Sequence, residues 1–284
     1  MHIPVLLKEI TEGVQPNENY VDCTMNGGGH TREILKKNGP KGKVLGIEID
    51  KEIFDQVEQH ERLIPVNDSY INLKKIVEEN GFENIKGILF DIGMSSYHVD
   101  SSKRGFSFQK DEPLVMSYDG SMSAEEILNE WREDEIEKII KEYGEEEFAR
   151  KISKKIVERR KGEKIKSTLQ LVSIIKEATP GWYHHGKTHF ATRTFQALRI
   201  AVNDELNNFK SALPQALEIL DKGGRLMAIS FHSLEDRIIK EFLKEKERSG
   251  ELKIITNKPI VPGEEEIRIN PRSRSSKLRI GIKI

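Results

Sequence analysis

Short apolar runs alternate with helical patterns through the first third of the chain, and this rhythm restricts the possible fold more than anything else in the sequence. Residues 20–25 read as a strand and 31–37 as a helix; residues 43–49 read as a strand and 51–60 as a helix. Residues 62–66, 71–79 and 87–92 continue the series. Short strands separated by helices imply a parallel sheet with helices on both faces. From 101 to about 188 strand signals nearly vanish, and two capping boxes appear: Ser123-x-x-Glu126 before Ile127 and Leu128, and Ser167-x-x-Gln170 before Leu171 and Val172. The α/β pattern then resumes. One long helix is expected over 192–220, with Phe195, Leu198, Val202, Leu206 and Phe209 at helical spacing. Gly223-Gly224 ends it, and residues 225–231 read as a strand, 234–246 as a helix, and 252–260 and 277–284 as closing strands. The expected organisation is an α/β core in two parts, 1–100 and 189–284, interrupted by a helical insert domain over 101–188.

Composition excludes several classes. A chain of 284 residues with 36% apolar residues, 11 of them Phe, is long enough to bury one large core or two modest ones. No apolar run approaches the ~18 residues of a membrane helix, and the first residues lack a basic region followed by a long apolar stretch. Export and membrane partners are therefore not expected. The single cysteine, Cys23, excludes an internal disulfide and a thiolate metal cluster, reads as a buried strand residue, and suits a reducing cytoplasm. A net charge of −1 does not by itself suggest nucleic acid, but it is a sum of opposed segments. Residues 119–150 hold 12 acids and 4 bases, residues 151–166 hold 8 bases and 2 acids, and residues 271–284 hold five bases and no acid. Discrete basic stretches of this kind can meet phosphates.

The first strand runs into Asp22-Cys23-Thr24-Met25-Asn26-Gly27-Gly28-Gly29-His30-Thr31. Glycines between a strand and a helix allow a ligand close to the backbone, and the helix N-terminus behind them offers unpaired N–H groups. Glu48, at the end of the next strand, lies 21 residues beyond Gly27, the usual place for an acid that accepts hydrogen bonds from the ribose hydroxyls of an adenosine cofactor. Asp50 reads as the cap of the next helix. The loop is not G-x-G-x-x-G, and two consecutive strands after five alternating ones suit a sheet whose last strand is inserted antiparallel, so S-adenosylmethionine is favoured over a dinucleotide.

Longer segments carry a resemblance. Asp91-Ile92-Gly93-Met94-Ser95-Ser96, Arg104-Gly105-Phe106-Ser107-Phe108, residues 191–206 (ATRTFQALRIAVNDEL), residues 223–237 (GGRLMAISFHSLEDR), the opening His2-x-Pro4-Val5-Leu6-Leu7 and the closing residues 270–279 (NPRSRSSKLR) together resemble the bacterial 16S rRNA cytosine-N4 methyltransferase family. The resemblance implies a class I S-adenosylmethionine-dependent methyltransferase, Rossmann-like with a mostly parallel seven-stranded sheet, acting on the exocyclic amine of a cytosine in the decoding (P-site) region of small-subunit ribosomal RNA. It implies a cytoplasmic enzyme, the small ribosomal subunit as partner, and no metal. Position by position, Gly28, Gly29 and His30 would hold the methionine end of the cofactor, Glu48 its ribose, Tyr70 the adenine, and Asp91 and His98 further parts of it. Five features depart from the family pattern: Asn26 replaces a loop glycine, Glu48 stands where Asp is commoner, Tyr70 where Phe is usual, His98 where Gln is found, and Val115, Ser117 and Tyr118 where the family has Asp, Arg and Met.

Methylating a cytosine amine needs acceptors for its hydrogens, and ligands of open α/β sheets bind beyond strand C-termini, so Asp91 and Ser95 are the expected catalytic groups. Ser95 reads equally well as a helix cap. Thr192, Gln196, Arg199 and Asn203 are spaced 4, 3 and 4 apart and share one helix face, which reads either as an RNA contact or as polar packing. Arg104, Arg193, His232, Arg272 and Arg274 complete the expected RNA contacts. His185-x-x-x-His189 has the spacing of a metal pair but no third ligand nearby, and no metal is expected there. A divergent paralogue acting on another RNA or DNA amine, or a non-catalytic ribosome-assembly factor, are the alternatives. The DNA reading is weakened because no Asp/Asn-Pro-Pro-Tyr/Phe tetrapeptide follows the fourth strand.

Overall fold

The computed structural model describes residues 4–284; His2 of the opening motif lies outside them. Helix α1 (Leu7–Thr11) leads into β1 (Asn19–Asp22), α2 (Gly29–Lys37), β2 (Val44–Ile47), α3 (Lys51–Phe54), β3 (Leu63–Val66), α4 (Leu73–Glu79) and β4 (Ile85–Asp91). A helical stretch follows, with α5 (Ser96–Asp100), α6 (Ala124–Glu130), α7 (Glu133–Gly144), α8 (Ala149–Arg160), α9 (Thr168–Ala178) and α10 (Thr192–Asn203). The chain then forms α11 (Glu205–Ile219), β5 (Arg225–Ser230), α12 (Ser233–Arg248), β6 (Leu252–Ile254), α13 (Glu264–Ile269) and β7 (Lys277–Lys283).

The strands build one seven-stranded sheet in the order β3-β2-β1-β4-β5-β7-β6. Neighbours from β3 to β5 pair in parallel, and β7 lies antiparallel between β5 and β6. This is the mostly parallel sheet with an inserted antiparallel strand that the two closing strands predict. Its strands carry near-continuous apolar side chains because helices cover both faces. One face packs Val21, Ile88, Phe90 and Leu226 against Leu73, Phe209 and Leu213; the other packs Tyr20, Leu89, Met227 and Ile229 against Leu6, Ile10 and Ile34.

The chain divides into two compact units, one running up to Gly93 and resuming at Leu206–Ile284, the other Met94–Glu205. The second unit is therefore wider than the insert expected over 101–188, and α10 belongs to it rather than to the second part of the core. The helix expected over 192–220 breaks at Asp204, whose φ is 47°. Its apolar spacing hides the break because it serves two cores in turn. Phe195, Leu198 and Val202 join Ile127, Ile136, Ile152 and Leu171 inside the helical unit, whereas Phe209, Ala212 and Leu213 join the sheet.

Within the helical unit one of the two expected capping boxes forms in full, with the Ser167 amide donating to the Gln170 side chain, while at Ser123 only the cap itself forms, accepting from the Glu126 amide. The basic helix α8 is tied to α9 through Glu177, which takes both Lys155 and Arg159 at 3.2 Å. Two predicted elements are shorter than expected. The helix over 51–60 stops at Phe54, because residues 55–60 supply no apolar stripe. The strand over 252–260 stops at Ile254 and returns only as a bridge from Ile260 to Leu278, since Pro259 offers no amide to a ladder. No helix among the described residues is long and apolar enough to cross a membrane.

Candidate functional site

The strand order reverses between β1 and β4, the place where open α/β sheets leave a crevice at their C-terminal edge. Three buried carboxylates gather there from neighbouring strands: Asp22 ends β1, Glu48 follows β2, and Asp91 ends β4. Burying three acids is costly, so the partners of each one define what the edge is built to do.

Asp22 straps the glycine loop at both ends. One oxygen accepts from the Thr24 amide at 3.2 Å and the other from the Thr31 hydroxyl at 2.7 Å. Between the straps the backbone passes through left-handed conformations at Asn26 (φ 49°) and Gly28 (φ 73°). Asn tolerates that region better than most residues, which is why it can stand among the glycines. Behind the loop, α2 opens at Gly29 with its first amides unpaired by the helix. A Cβ on Gly29 would come within 2.6 Å of the Pro4 ring, so the opening segment packs directly on this turn. A Cβ on Gly27 would meet nothing within 4 Å, which leaves that side of the loop open for a ligand.

Glu48 accepts the Asn26 amide through one oxygen and the Asp50 amide through the other, both at 2.8 Å. It thus ties the glycine loop to the end of β2. Burial nevertheless dominates and pushes its pKa up to about 7 against those two hydrogen bonds. Asn67 donates to the Glu48 carbonyl at 2.7 Å, and Asp50 caps α3 as expected, accepting from the Glu52 amide. Tyr70 begins the short turn after β3, its ring edge-on to Phe90 at 5.7 Å.

Asp91 is held through its backbone, whose amide donates to the Thr24 hydroxyl at 2.6 Å. Its side chain has one neighbour of opposite character, His30, with Nδ1 3.5 Å from Oδ2. His30 Nε2 lies 2.8 Å from the Val5 carbonyl. A carbonyl only accepts, so Nε2 carries a hydrogen, and Nδ1 is the nitrogen that faces Asp91. Burial raises the Asp91 pKa to about 6, with His30 opposing the rise and Asp22 and Glu235 adding to it. Asp91 Oδ1 is buried and makes no hydrogen bond. An orphaned carboxylate oxygen at the sheet edge, beside an open glycine loop and a buried acid on the neighbouring strand, fits a nucleoside cofactor and a polar substrate group. Asp22, Thr24 and Thr31 received no role from the sequence; an acid closing an otherwise apolar strand just before a glycine loop was the available signal.

Other predicted residues have different occupations. Ser95 caps α5: its hydroxyl accepts from the His98 amide, and its own amide donates to His98 Nδ1 at 3.0 Å. The cap reading therefore describes the Ser95 hydroxyl in this structure. His98 is buried in the helical unit beside the stacked rings of Phe106 and Tyr118, 4.9 and 4.7 Å away, so the expectation that it contacts cofactor gives way to this packing.

The polar face of α10 also corrects the RNA reading. Gln196 donates to the Tyr143 carbonyl, Arg199 pairs with Glu205 at 2.9 Å while buried, and Asn203 accepts the Tyr118 amide and donates to the Met116 carbonyl. These side chains satisfy polar groups inside their own unit. The departures at 115–118 belong to the same arrangement, since the Tyr118 hydroxyl donates to Glu205 at 2.9 Å. Arg104 likewise donates to the Ser117 carbonyl and lies over the Phe106 ring. His232 caps α12, with Nδ1 accepting from the Glu235 amide, rather than projecting as an RNA contact. Arg193, Arg272 and Arg274 remain on the surface. Cys23 is buried in the sheet core, and burial holds its thiol well above the ordinary pKa.

Sequence comparison matches residues 1–284 to the MraW methylase family. Proteins described as ribosomal RNA small subunit methyltransferase H align over the whole chain: 44% identity for that of Clostridium botulinum strain 657, covering 99% of the relative, and 42% for that of Clostridioides difficile strain 630, also covering 99%. A crystal structure of an rRNA methylase from Streptococcus thermophilus superposes with a TM-score of 0.46 at 12% identity, over 98% of this chain and 93% of that one.

Proposed function

Because this chain belongs to the MraW methylase family, we propose that it transfers a methyl group from S-adenosylmethionine to the N4 amine of a cytosine in 16S ribosomal RNA. The finer part of the proposal is that the target lies in the decoding region, that the substrate is the small ribosomal subunit, and that the reaction takes place in the cytoplasm. The orphaned Oδ1 of buried Asp91 is the observation that carries the chemistry.

The residues of the sheet edge divide the work. Gly28, Gly29 and the first amides of α2 suit the methionine carboxylate, since a helix N-terminus favours an anion. Glu48 suits the ribose hydroxyls: each oxygen already accepting one amide keeps a lone pair for a second donor. Tyr70 offers its ring to the adenine. When bound, S-adenosylmethionine supplies an electrophilic methyl group on a sulfonium.

The cytosine amine is a weak nucleophile because its lone pair is delocalised into the ring. Asp91 Oδ1, by accepting one amine hydrogen, turns that lone pair out of conjugation and fixes the nitrogen in line. His30 positions the carboxylate by holding Oδ2 through Nδ1, which directs Oδ1 toward the substrate, and the Val5 carbonyl fixes the imidazole itself. The proton released after methylation has a place on Asp91, whose pKa near 6 lies close enough to neutrality for it to be taken up and returned to water. A base must leave its stack to reach such a site. Arg193, Arg272 and Arg274 are the exposed cations we assign to RNA phosphates.

The test is labelled-methyl transfer. Small subunits lacking the modification are incubated with the protein and labelled cofactor, and the product nucleotide is mapped. N4-methylcytosine at one decoding-region position is expected. Tight cofactor binding without incorporation would overturn the assignment in favour of a non-catalytic assembly factor.

A further inference from the structure

The helical unit carries an aromatic hollow whose rings none of these roles uses. Trp182, Tyr183, Lys187, His189 and Arg193 line a cavity of about 240 Å³ beside the turn Gly181–His185. Its walls are fixed from behind. The Tyr183 hydroxyl donates to Glu146 at 2.6 Å, and the same buried carboxylate accepts the Phe148 amide at 2.9 Å. Tyr183 therefore stands edge-on to Phe148 at 4.9 Å, and Trp182 edge-on to both at 5.9 Å. On the other side, the His189 ring stacks on Phe108 at 4.5 Å and 10°. Burial, with His184 adding to it, lowers the His189 pKa, so at neutral pH this wall is an uncharged ring.

Against this fixed frame the Trp182 indole is 67% exposed, the most exposed large apolar side chain among the described residues. An indole held at the mouth of a rigid aromatic hollow and left in water is poorly explained as core packing. The lining of the hollow holds Lys187 and Arg193 and no carboxylate, Glu146 and Glu147 lying by Tyr183 outside it, and Lys151, at the start of the basic helix α8, lies over the Phe148 ring. Aromatic faces that stack bases beside cations that meet the backbone are the two elements of single-strand recognition. An acidic peptide would satisfy the cations but leave the stacking surface unexplained.

We propose that this hollow stacks an unpaired nucleobase of the RNA substrate against Trp182, with Lys187 and Arg193 meeting the adjoining phosphates. The proposal rests on the RNA methylation reading and adds to it a docking point on the helical unit.

The test uses the full chain and a short labelled single-stranded RNA. Trp131 is the other tryptophan, so a Trp131→Phe background isolates the Trp182 signal. RNA is expected to quench that fluorescence. Trp182→Ala should raise the Kd for the probe about tenfold, within the range of base–aromatic stacking, while Trp182→Phe keeps most of the affinity. Lys187→Glu should weaken binding and flatten its dependence on salt. Cofactor affinity should stay at the wild-type value in all three. Absence of quenching, with the Kd of Trp182→Ala within twofold of wild type, overturns the proposal. So does an outcome in which the variants raise KM for assembled subunits but leave affinity for the RNA probe unchanged, because a ribosomal protein would then be the occupant. If the wild type binds the probe with quenching yet methylates no subunit, the methylation reading fails and the hollow stands. If the wild type methylates and the variants keep its KM, the hollow fails and the reading stands.

Discussion

Glu48→Gln should make the protein more stable and a worse cofactor binder, and the two effects should depend differently on pH. The Glu48 carboxyl rises from an ordinary 4.5 to about 7 because burial outweighs the two amides that donate to it. The folded state therefore holds this proton more tightly than the unfolded chain, so stability is greatest below pH 4.5 and falls as pH rises through 7. Integrating between those two pKa values gives a wild-type loss of about 2.5 kcal/mol from pH 5 to pH 8. Glutamine resembles the protonated acid in shape and hydrogen bonding but cannot ionise. The substitution should thus add less than about 1 kcal/mol at pH 5 and about 3 kcal/mol at pH 8. At ~2 to 4 °C per kcal/mol for a unit of this size, the gain in Tm from pH 5 to pH 8 should grow by about 5 to 10 °C. Cofactor affinity should move the other way, falling by about 1.5 to 3 kcal/mol because ribose hydroxyls lose a charged acceptor. Thermal denaturation of the cofactor-free protein at both pH values, with calorimetric titration of S-adenosylmethionine, checks both halves. A variant whose Tm follows the same pH slope as wild type would refute the claim that Glu48 ionises at a cost. Unchanged cofactor affinity would remove Glu48 from the ribose site.

Three further outcomes follow from the geometry. Asp91→Asn should lower single-turnover methyl transfer by about 10²- to 10⁴-fold, and wild-type transfer should fall below a pH near 6 as the carboxylate takes up its proton; His30→Gln, which removes the neighbour that favours the ionised acid, should move that limb to higher pH in a pH–rate profile. Arg199→Ala should cost about 3 to 5 kcal/mol in urea unfolding, because it strands a buried Glu205, whereas Arg274→Ala, at an exposed position, should leave stability unchanged. Gly105→Ala should cost at least about 2 kcal/mol by the same measurement, since φ is +77° there and a Cβ would lie 2.3 Å from the Pro113 carbonyl oxygen.

What could be read from the residues depended on how local each signal was. The sheet edge was visible because strand ends, glycines and spacing are local: Asp91 closes an apolar run, and Glu48 sits at a fixed distance from Gly27. The partners of those acids were not, because His30 meets the carbonyl of Val5, 25 residues away, through a contact only the folded loop creates. The face of α10 misled for a related reason. Polar side chains at helical spacing look alike whether they meet RNA or backbone, and Asn203 meets the Met116 carbonyl 87 residues earlier in the chain. The break at Asp204 escaped notice because both halves of the pattern are apolar at the right spacing, and periodicity does not say which core a stripe enters.

The position of β7 sets an order on how the sheet is completed. Among the described residues β6 pairs only with β7, and the outer edge of β5 is also filled only by β7. Until residues 277–283 are made, the nascent chain carries an apolar strand, Arg225–Ser230, with one whole row of amides and carbonyls open to any passing extended segment, and a second strand with no place to dock. β7 follows the other six strands in chain order and is the one that closes this edge, so β5 and β6 stay exposed to mispairing until it is made.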